Sequence, residues 1–271
     1  MRSFKLAIEH HGDLESLDFW KEFHKTTFVE SGIIPSKVVN IVQPINVKFF
    51  DPVKYKALDI RSMAELILGS RWEYRKGWDV LLKSYLKEFS GDDSVALYLL
   101  TNPYHTDGDF GNKILDFVEN FDFEEPDSGL ASVYVINTHI AQSDLPRIYR
   151  AANAFVLPSR GEGWGRLLVE AMSMSLPVIA TNWSGLTEFL TEYNSYPLPV
   201  GRMSEVMEGP FKGHLWAEPS EDKLWFLMRH VVDNPDEAKA IGRKAREDMI
   251  RQYSPEIVAE IVADHIQNMF G

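Results

Sequence analysis

Trp78, Leu81, Leu82, Tyr85, Leu86 and Phe89 recur at spacings of three and four, which draws one apolar stripe along a helix. Gly91 breaks the pattern, and residues 95–100 follow as an unbroken apolar run. Similar short runs lie at 133–136, 154–157 and 177–180, separated by amphipathic patterns at 114–121, 145–152 and 167–174. Strands apolar on both faces belong in a parallel sheet covered by helices on both sides. Adding a strand at 65–69 and another near 195–198 gives about six, alternating with helices in a doubly wound α/β sheet. Leu224, Leu227, Met228, Val231 and Val232 form a further stripe, and helices are expected over 235–253 and from Pro255 onward. These extra C-terminal helices should pack over the sheet rather than extend it.

The first fifty residues do not fit this unit. Residues 19–30 look helical, 37–42 look like a strand, and Pro44 and Pro52 bracket a linker. The expected division is 1–50 as an appendage and 51–271 as one domain. If the partner of that appendage is missing, Phe23, Phe28, Ile34 and Val39 should be exposed.

Composition narrows the function classes. An apolar fraction of 45% supports a real core, and 40 acidic against 28 basic residues give a net charge of −12, which disfavours a nucleic-acid partner. With no cysteine, disulfides, thiolate metal sites and cysteine nucleophiles are excluded, and a cytoplasmic, soluble setting is the expectation. No apolar run approaches the ~20 residues of a transmembrane span.

The chemistry concentrates after the strand at 154–157. There Glu162-Gly163-Trp164-Gly165-Arg166 opens a helix that carries Glu170. Ligands of parallel sheets bind outside the carboxyl ends of the strands, and small residues let an anion reach the unpaired amides of the next helix. The two glutamates would repel that anion, so hydroxyl donors of the same ligand are their natural partners. The plainer alternative is that Glu162 favours the helix start and Glu170 pairs with Arg166 one turn earlier.

Glu162 and Glu170, with seven residues between them in the setting Pro158-Ser159, Gly163-Trp164-Gly165 and Ala171-Met172, resemble the signature of retaining glycosyltransferases of family 4 (glycosyl transferases group 1). Pro177-Val178-Ile179-Ala180-Thr181, Gly185 with Glu188, and Arg71 with Lys76-Gly77 match the same pattern. Trp216-Ala217-Glu218-Pro219 and Gly242 with Ala245-Arg246 look like its closing helices. The resemblance covers roughly residues 60–265 and implies the Rossmann-like, C-terminal donor domain of the GT-B fold. It also implies a hexosyltransferase that moves a sugar from a UDP-, GDP- or ADP-linked donor to a hydroxyl acceptor with retention.

On that resemblance Arg71 and Lys76 would contact the diphosphate, Glu162 the sugar, and Glu170 the ribose. Gly163, Trp164 and Gly165 would offer backbone donors, and Glu188 would complete the donor site. Arg166 stands where the family usually has an apolar residue. No metal or other cofactor is expected. Asp107-Gly108-Asp109 resembles a metal-binding acid pair of the other major glycosyltransferase fold but is better placed as a helix cap, and His105, His139 and His214 lack ligand spacing. The acceptor domain is expected to be largely absent, with residues 1–50 its remnant, so the chain would be truncated or would need an acceptor-domain partner chain. The rival functions are a non-catalytic nucleotide-sugar-binding module or a subunit of a two-chain enzyme, and by fold analogy alone an epimerase or a phosphorylase.

Overall fold

The structure is a computed structural model that describes residues 22–39, 41–59, 65–69, 72–101, 108–121, 124, 126–138, 140–207 and 211–270. Six parallel strands form its centre: β1 (Glu65–Gly69), β2 (Val95–Leu100), β3 (Ser132–Ile136), β4 (Ala154–Leu157), β5 (Val178–Thr181) and β6 (Tyr196–Leu198), in the order β3-β2-β1-β4-β5-β6. Helix α1 (Glu22–Glu30) precedes the sheet. Helices α2 (Trp78–Glu88), α3 (Phe110–Glu119), α4 (Leu145–Ala151) and α5 (Arg166–Ser173) connect its strands.

The period of two is visible in β4. Ala154 and Val156 enter one core with Leu81, Leu82 and Tyr85 of α2, whereas Phe155 and Leu157 enter the other with Leu168 and Met172 of α5. The runs of β2, β4 and β5 are buried on both faces as expected, whereas β3, at the sheet's edge, is partly exposed and Tyr134 faces solvent.

An antiparallel ribbon comes next, β7 (Val200–Glu205) paired with β8 (Leu215–Pro219), and then α6 (Glu221–Asp233), α7 (Pro235–Tyr253) and α8 (Pro255–Phe270). The ribbon corrects the expectation that 216–219 begins a closing helix. Trp216 to Pro219 is strand, buried on alternate residues, because Ala217 and Pro219 turn inward. The long helices are as expected: α6 packs on α2, and α7 on α5.

Along the N-terminal segment, exposure gives way to burial near residue 41, while α1 packs against the turn Ser184–Glu188. Residues 37–42 do not form a strand among those described: Pro35–Lys37 is a single 3-10 turn, and no sheet edge receives the residues after it. Phe28, Ile34 and Val39 are exposed, as anticipated, while the side chain of Phe23 lies outside the described residues. Val42, Ile45, Val47 and Phe50 are instead buried in the main core. The Ile45 amide donates to Tyr253 O at 2.8 Å, and Arg246 Nη1 donates to Phe50 O at 2.7 Å, so the linker is strapped to α7.

Candidate functional site

The strand order reverses its winding between β1 and β4, and Gly69 of β1 pairs with Val156 of β4. Open α/β sheets bind ligands in the crevice outside the carboxyl ends of the strands at such a switch point. The turn Tyr74–Lys76 follows β1, and residues 158–165 follow β4. Gly77 sets their separation. It sits at φ 69°, and a Cβ there would lie 1.9 Å from Pro158 O, so the two loops touch through backbone alone.

In this crevice Lys76 Nζ donates to Glu162 Oε1 at 2.5 Å, and Arg75 Nη1 lies 3.2 Å from the same oxygen. Arg75 also donates to Gly161 O at 2.7 Å, and its Nη2 approaches Glu73 Oε2 at 3.4 Å. Burial holds the Lys76 ammonium below the usual lysine range, and the attraction of Glu162 offsets part of that shift. The Glu162 backbone is fixed on both sides: its N–H donates to Ser184 Oγ at 2.8 Å, and its carbonyl accepts from Gly185 N–H at 3.0 Å. A Cβ at Gly185 would lie 2.1 Å from Gly163 O, whereas positions 161 and 163 have open space beside them.

A buried arginine holds these loops in register. Arg160 donates through Nη1 and Nη2 to the two oxygens of Asp79 at 2.8 and 2.7 Å, and through Nε to Glu218 Oε2 at 2.8 Å. Its guanidinium carbon lies 3.6 Å from the centre of the Tyr74 ring, and the Arg160 backbone N–H donates to Arg75 O at 2.7 Å. Burial works against the Arg160 charge, but Asp79 and Glu218 more than compensate. One side chain thus joins the turn after β1, the loop after β4, helix α2 and strand β8. Sequence reading missed Arg160 and Arg75. The spacing of Arg160 two residues before Glu162 was visible, but its carboxylate partners 81 and 58 positions away were not.

Glu170 lies one helical turn inside α5, buried, with Tyr149 Oη donating to Oε2 at 3.1 Å and Arg166 Nε to Oε1 at 3.0 Å. The Arg166 pairing is the plainer expectation realised, and the arginine itself is 69% exposed at its side chain. Burial raises the Glu170 carboxyl above the usual glutamate range against the pull of Arg166 and Tyr149. Burial, then the Glu170 charge, pushes the Tyr149 hydroxyl far up, so it stays a donor.

Gly165 caps α5 in the left-handed region at φ 73° with no side-chain cap; the amides of Leu168 and Val169 donate to Gly165 O at 2.8 and 3.2 Å, which leaves those of Arg166 and Leu167 without an intrahelical acceptor. Trp164 turns its ring into Phe189 and Tyr253, at centroid distances of 5.3 and 5.6 Å. Glu188, buried at the end of the turn Ser184–Glu188, accepts at its backbone carbonyl from Tyr253 Oη at 3.2 Å. Burial, then the Glu188 charge, raises the Tyr253 hydroxyl.

A cavity of about 480 Å³ opens beside α5, lined among others by Gln43, Asn46, Phe49, Gln142, Trp164 and Arg166. A smaller one of about 240 Å³ lies behind Glu188, against Asn194 and Asp248. Arg71, His105, Asp107 and His139 lie outside the described residues. Asp109 caps α3 through Oδ1, which accepts from Asn112 N–H at 3.2 Å. His214 stands in the ribbon's loop beside Phe211, and among the described residues no group of three acids or histidines is arranged to hold a metal ion. No helix of the described residues is long and apolar enough to cross a membrane.

Comparison with known proteins bears on the family and the fold. The family described as "Glycosyl transferases group 1" matches residues 65–205. Mannosylfructose-phosphate synthase of Agrobacterium fabrum is 31% identical over 124 residues, 45% of this chain and 26% of that protein. D-inositol 3-phosphate glycosyltransferase of Kineococcus radiotolerans is 23% identical over 224 residues, 79% of this chain and 48% of that protein. This chain therefore spans between about a quarter and a half of the length of these curated relatives. Among solved structures, Anabaena HepE in complex with UDP and glucose superposes with a TM-score of 0.67 at 15% identity, covering 90% of this chain and 60% of that one. The C-terminal domain of the group 1 family protein LpcC from Francisella tularensis gives 0.57 at 15% identity, covering 78% of this chain and 99% of that one.

Proposed function

The chain belongs to the group 1 glycosyltransferases, and from that premise we propose that its crevice holds a nucleotide-sugar whose sugar passes, with retention, to an acceptor hydroxyl. The observation that carries the reading is the convergence of Lys76, Arg75 and Glu162 at the switch point of the sheet, beside the uncapped start of α5. A diphosphate there gains the two cations, the free amides and the helix dipole together. By resemblance, Arg71 would also contact the diphosphate.

Glu162 then takes hydroxyls of the sugar, with backbone donors at Gly163, Trp164 and Gly165, and Glu188 closes the far side. Glu170 takes the ribose hydroxyls once Arg166, exposed and free to swing, gives up its oxygen. The cavity bordered by Arg166 offers amide and aromatic surface to the base. In the reaction the bond from the anomeric carbon to the diphosphate oxygen breaks and the bond to the acceptor oxygen forms. The acceptor proton leaves with the departing phosphate. The cations and amides stabilise the charge that develops on that phosphate. The HepE complex supports the donor class, since that protein is bound to UDP and glucose.

The test is a thermal-shift screen of the purified chain against UDP-, GDP- and ADP-linked sugars, followed by product analysis with alcohol and sugar acceptors. A matching donor at ~100 times its dissociation constant should add about 2.7 kcal/mol of stability. No shift with any donor contradicts the reading. Binding without turnover reduces it to a non-catalytic donor-binding role.

A further inference from the structure

Two cations meet on a single carboxylate oxygen in this site. Arg75 Nη1 and Lys76 Nζ stand 3.2 and 2.5 Å from Glu162 Oε1, with side chains 20%, 11% and 4% exposed respectively for Arg75, Lys76 and Glu162. Among the described residues Glu73 is a second acid within reach, at 3.4 Å from Arg75 Nη2. These two positive and two negative groups balance in charge. Cations held this close repel each other unless an anion lies between them, and in this arrangement Glu162 Oε1 is that anion.

A diphosphate brings its own negative charges to the same two cations, so it and the Glu162 carboxylate compete for one position. The Glu162 main chain is pinned by Ser184 and Gly185, so only its side chain is able to leave. Gly161 and Gly163, with no atom near the place of a Cβ, leave room on either side.

We propose that Arg75 is a further donor-binding residue, and that Arg75 and Lys76 form a cation pair held closed by Glu162 until a diphosphate displaces its carboxylate. The displaced carboxylate is then free for sugar hydroxyls, so arrival of the diphosphate arms the group that reads the sugar. This rests on the donor reading above, and it makes Arg75, a position outside the sequence signature, part of the site.

Inorganic pyrophosphate isolates the exchange, because it offers phosphate charge without base or sugar. Calorimetry at pH 6.5, well below the ordinary lysine value, should give tighter pyrophosphate binding to Glu162→Gln than to the parent, by about tenfold, or 1.4 kcal/mol. Arg75→Gln should weaken it by a similar factor and Arg75→Lys should restore part of the loss, with melting temperatures showing that each variant is folded. Unchanged or weaker binding to a folded Glu162→Gln overturns the proposal, as does indifference to Arg75→Gln, or absence of pyrophosphate binding to both parent and Glu162→Gln. If the pyrophosphate pattern holds while no nucleotide-sugar binds, the exchange stands and the donor reading falls.

Discussion

Lys76 and Glu170 are buried ionisable groups whose shifts make opposite demands on pH. The Lys76 ammonium is held below the usual lysine range, so it loses its proton at lower pH than an exposed lysine. Diphosphate affinity should therefore fall as pH rises toward the ordinary value near 10.4, starting below it. Lys76→Arg keeps its charge throughout and should flatten that part of the profile, which calorimetry between pH 7 and 10 will read.

Glu170 is shifted the other way, upward by burial. The folded chain then binds its proton more tightly than the unfolded chain does. Stability from this group is present below the unfolded glutamate value and is lost as pH rises through the raised folded value. At neutral pH the buried carboxylate is a cost to the fold. Glu170→Gln keeps an acceptor for Arg166 and should melt no lower than the parent at pH 7. It should weaken nucleoside and nucleotide alike by ~1.5–3 kcal/mol, roughly 10- to 150-fold. A lower melting temperature with unchanged ligand affinity would mark Glu170 as structural only.

At the scale of elements, the strands and helices of the sheet were legible because each alternates or repeats over its whole length. The run at 95–100 reads as a strand, and the stripe from Trp78 reads as a helix. The ribbon β7–β8 was not legible. Its outer residues Met203 and Leu215 are exposed apolar groups, so the inside–outside alternation that marks a half-buried strand is blurred. The segment 37–42 failed for the complementary reason: β-branched residues favour a strand only where a sheet edge receives them.

The close contact at Gly77 was marked only as a motif glycine, and the structure supplies its reason. Gly77→Ala should cost ~1–2 kcal/mol from the left-handed backbone alone, with the clash against Pro158 O in addition. Arg160→Ala should cost about 3 kcal/mol, because Asp79 and Glu218 are left as unpaired, mostly buried charges. Arg160→Lys should recover little, since an ammonium cannot span both carboxylates as the guanidinium fork does. Thermal unfolding of the three variants measures both effects.

For the whole molecule, the buried linker predicts a protease-resistant unit that starts near residue 41. Val42, Ile45, Val47 and Phe50 belong to the same core as Leu168 and Met249, whereas Ile34 and Val39 face solvent. Limited proteolysis should cut before Ile41 and spare residues 41–59, and persistent cleavage near Pro52 in the folded chain would contradict this. The sequence hid that strap because its backbone bonds to α7, some two hundred positions away.

Of the candidate site, the motif spacing carried Lys76 and Glu162, which meet after β1 and β4. What the spacing could not carry is the electrostatic arrangement, in which Lys76 and Arg75 share Glu162 and Arg160 sets the loops. The most direct test of the central claim is calorimetry of Lys76→Ala with the donor found by screening, its nucleoside diphosphate and its nucleoside. Nucleotide-sugar and diphosphate should weaken together by ~1.5–3 kcal/mol while the nucleoside is almost unchanged. Equal losses for all three ligands, or none for any, would contradict a diphosphate at the switch point between β1 and β4.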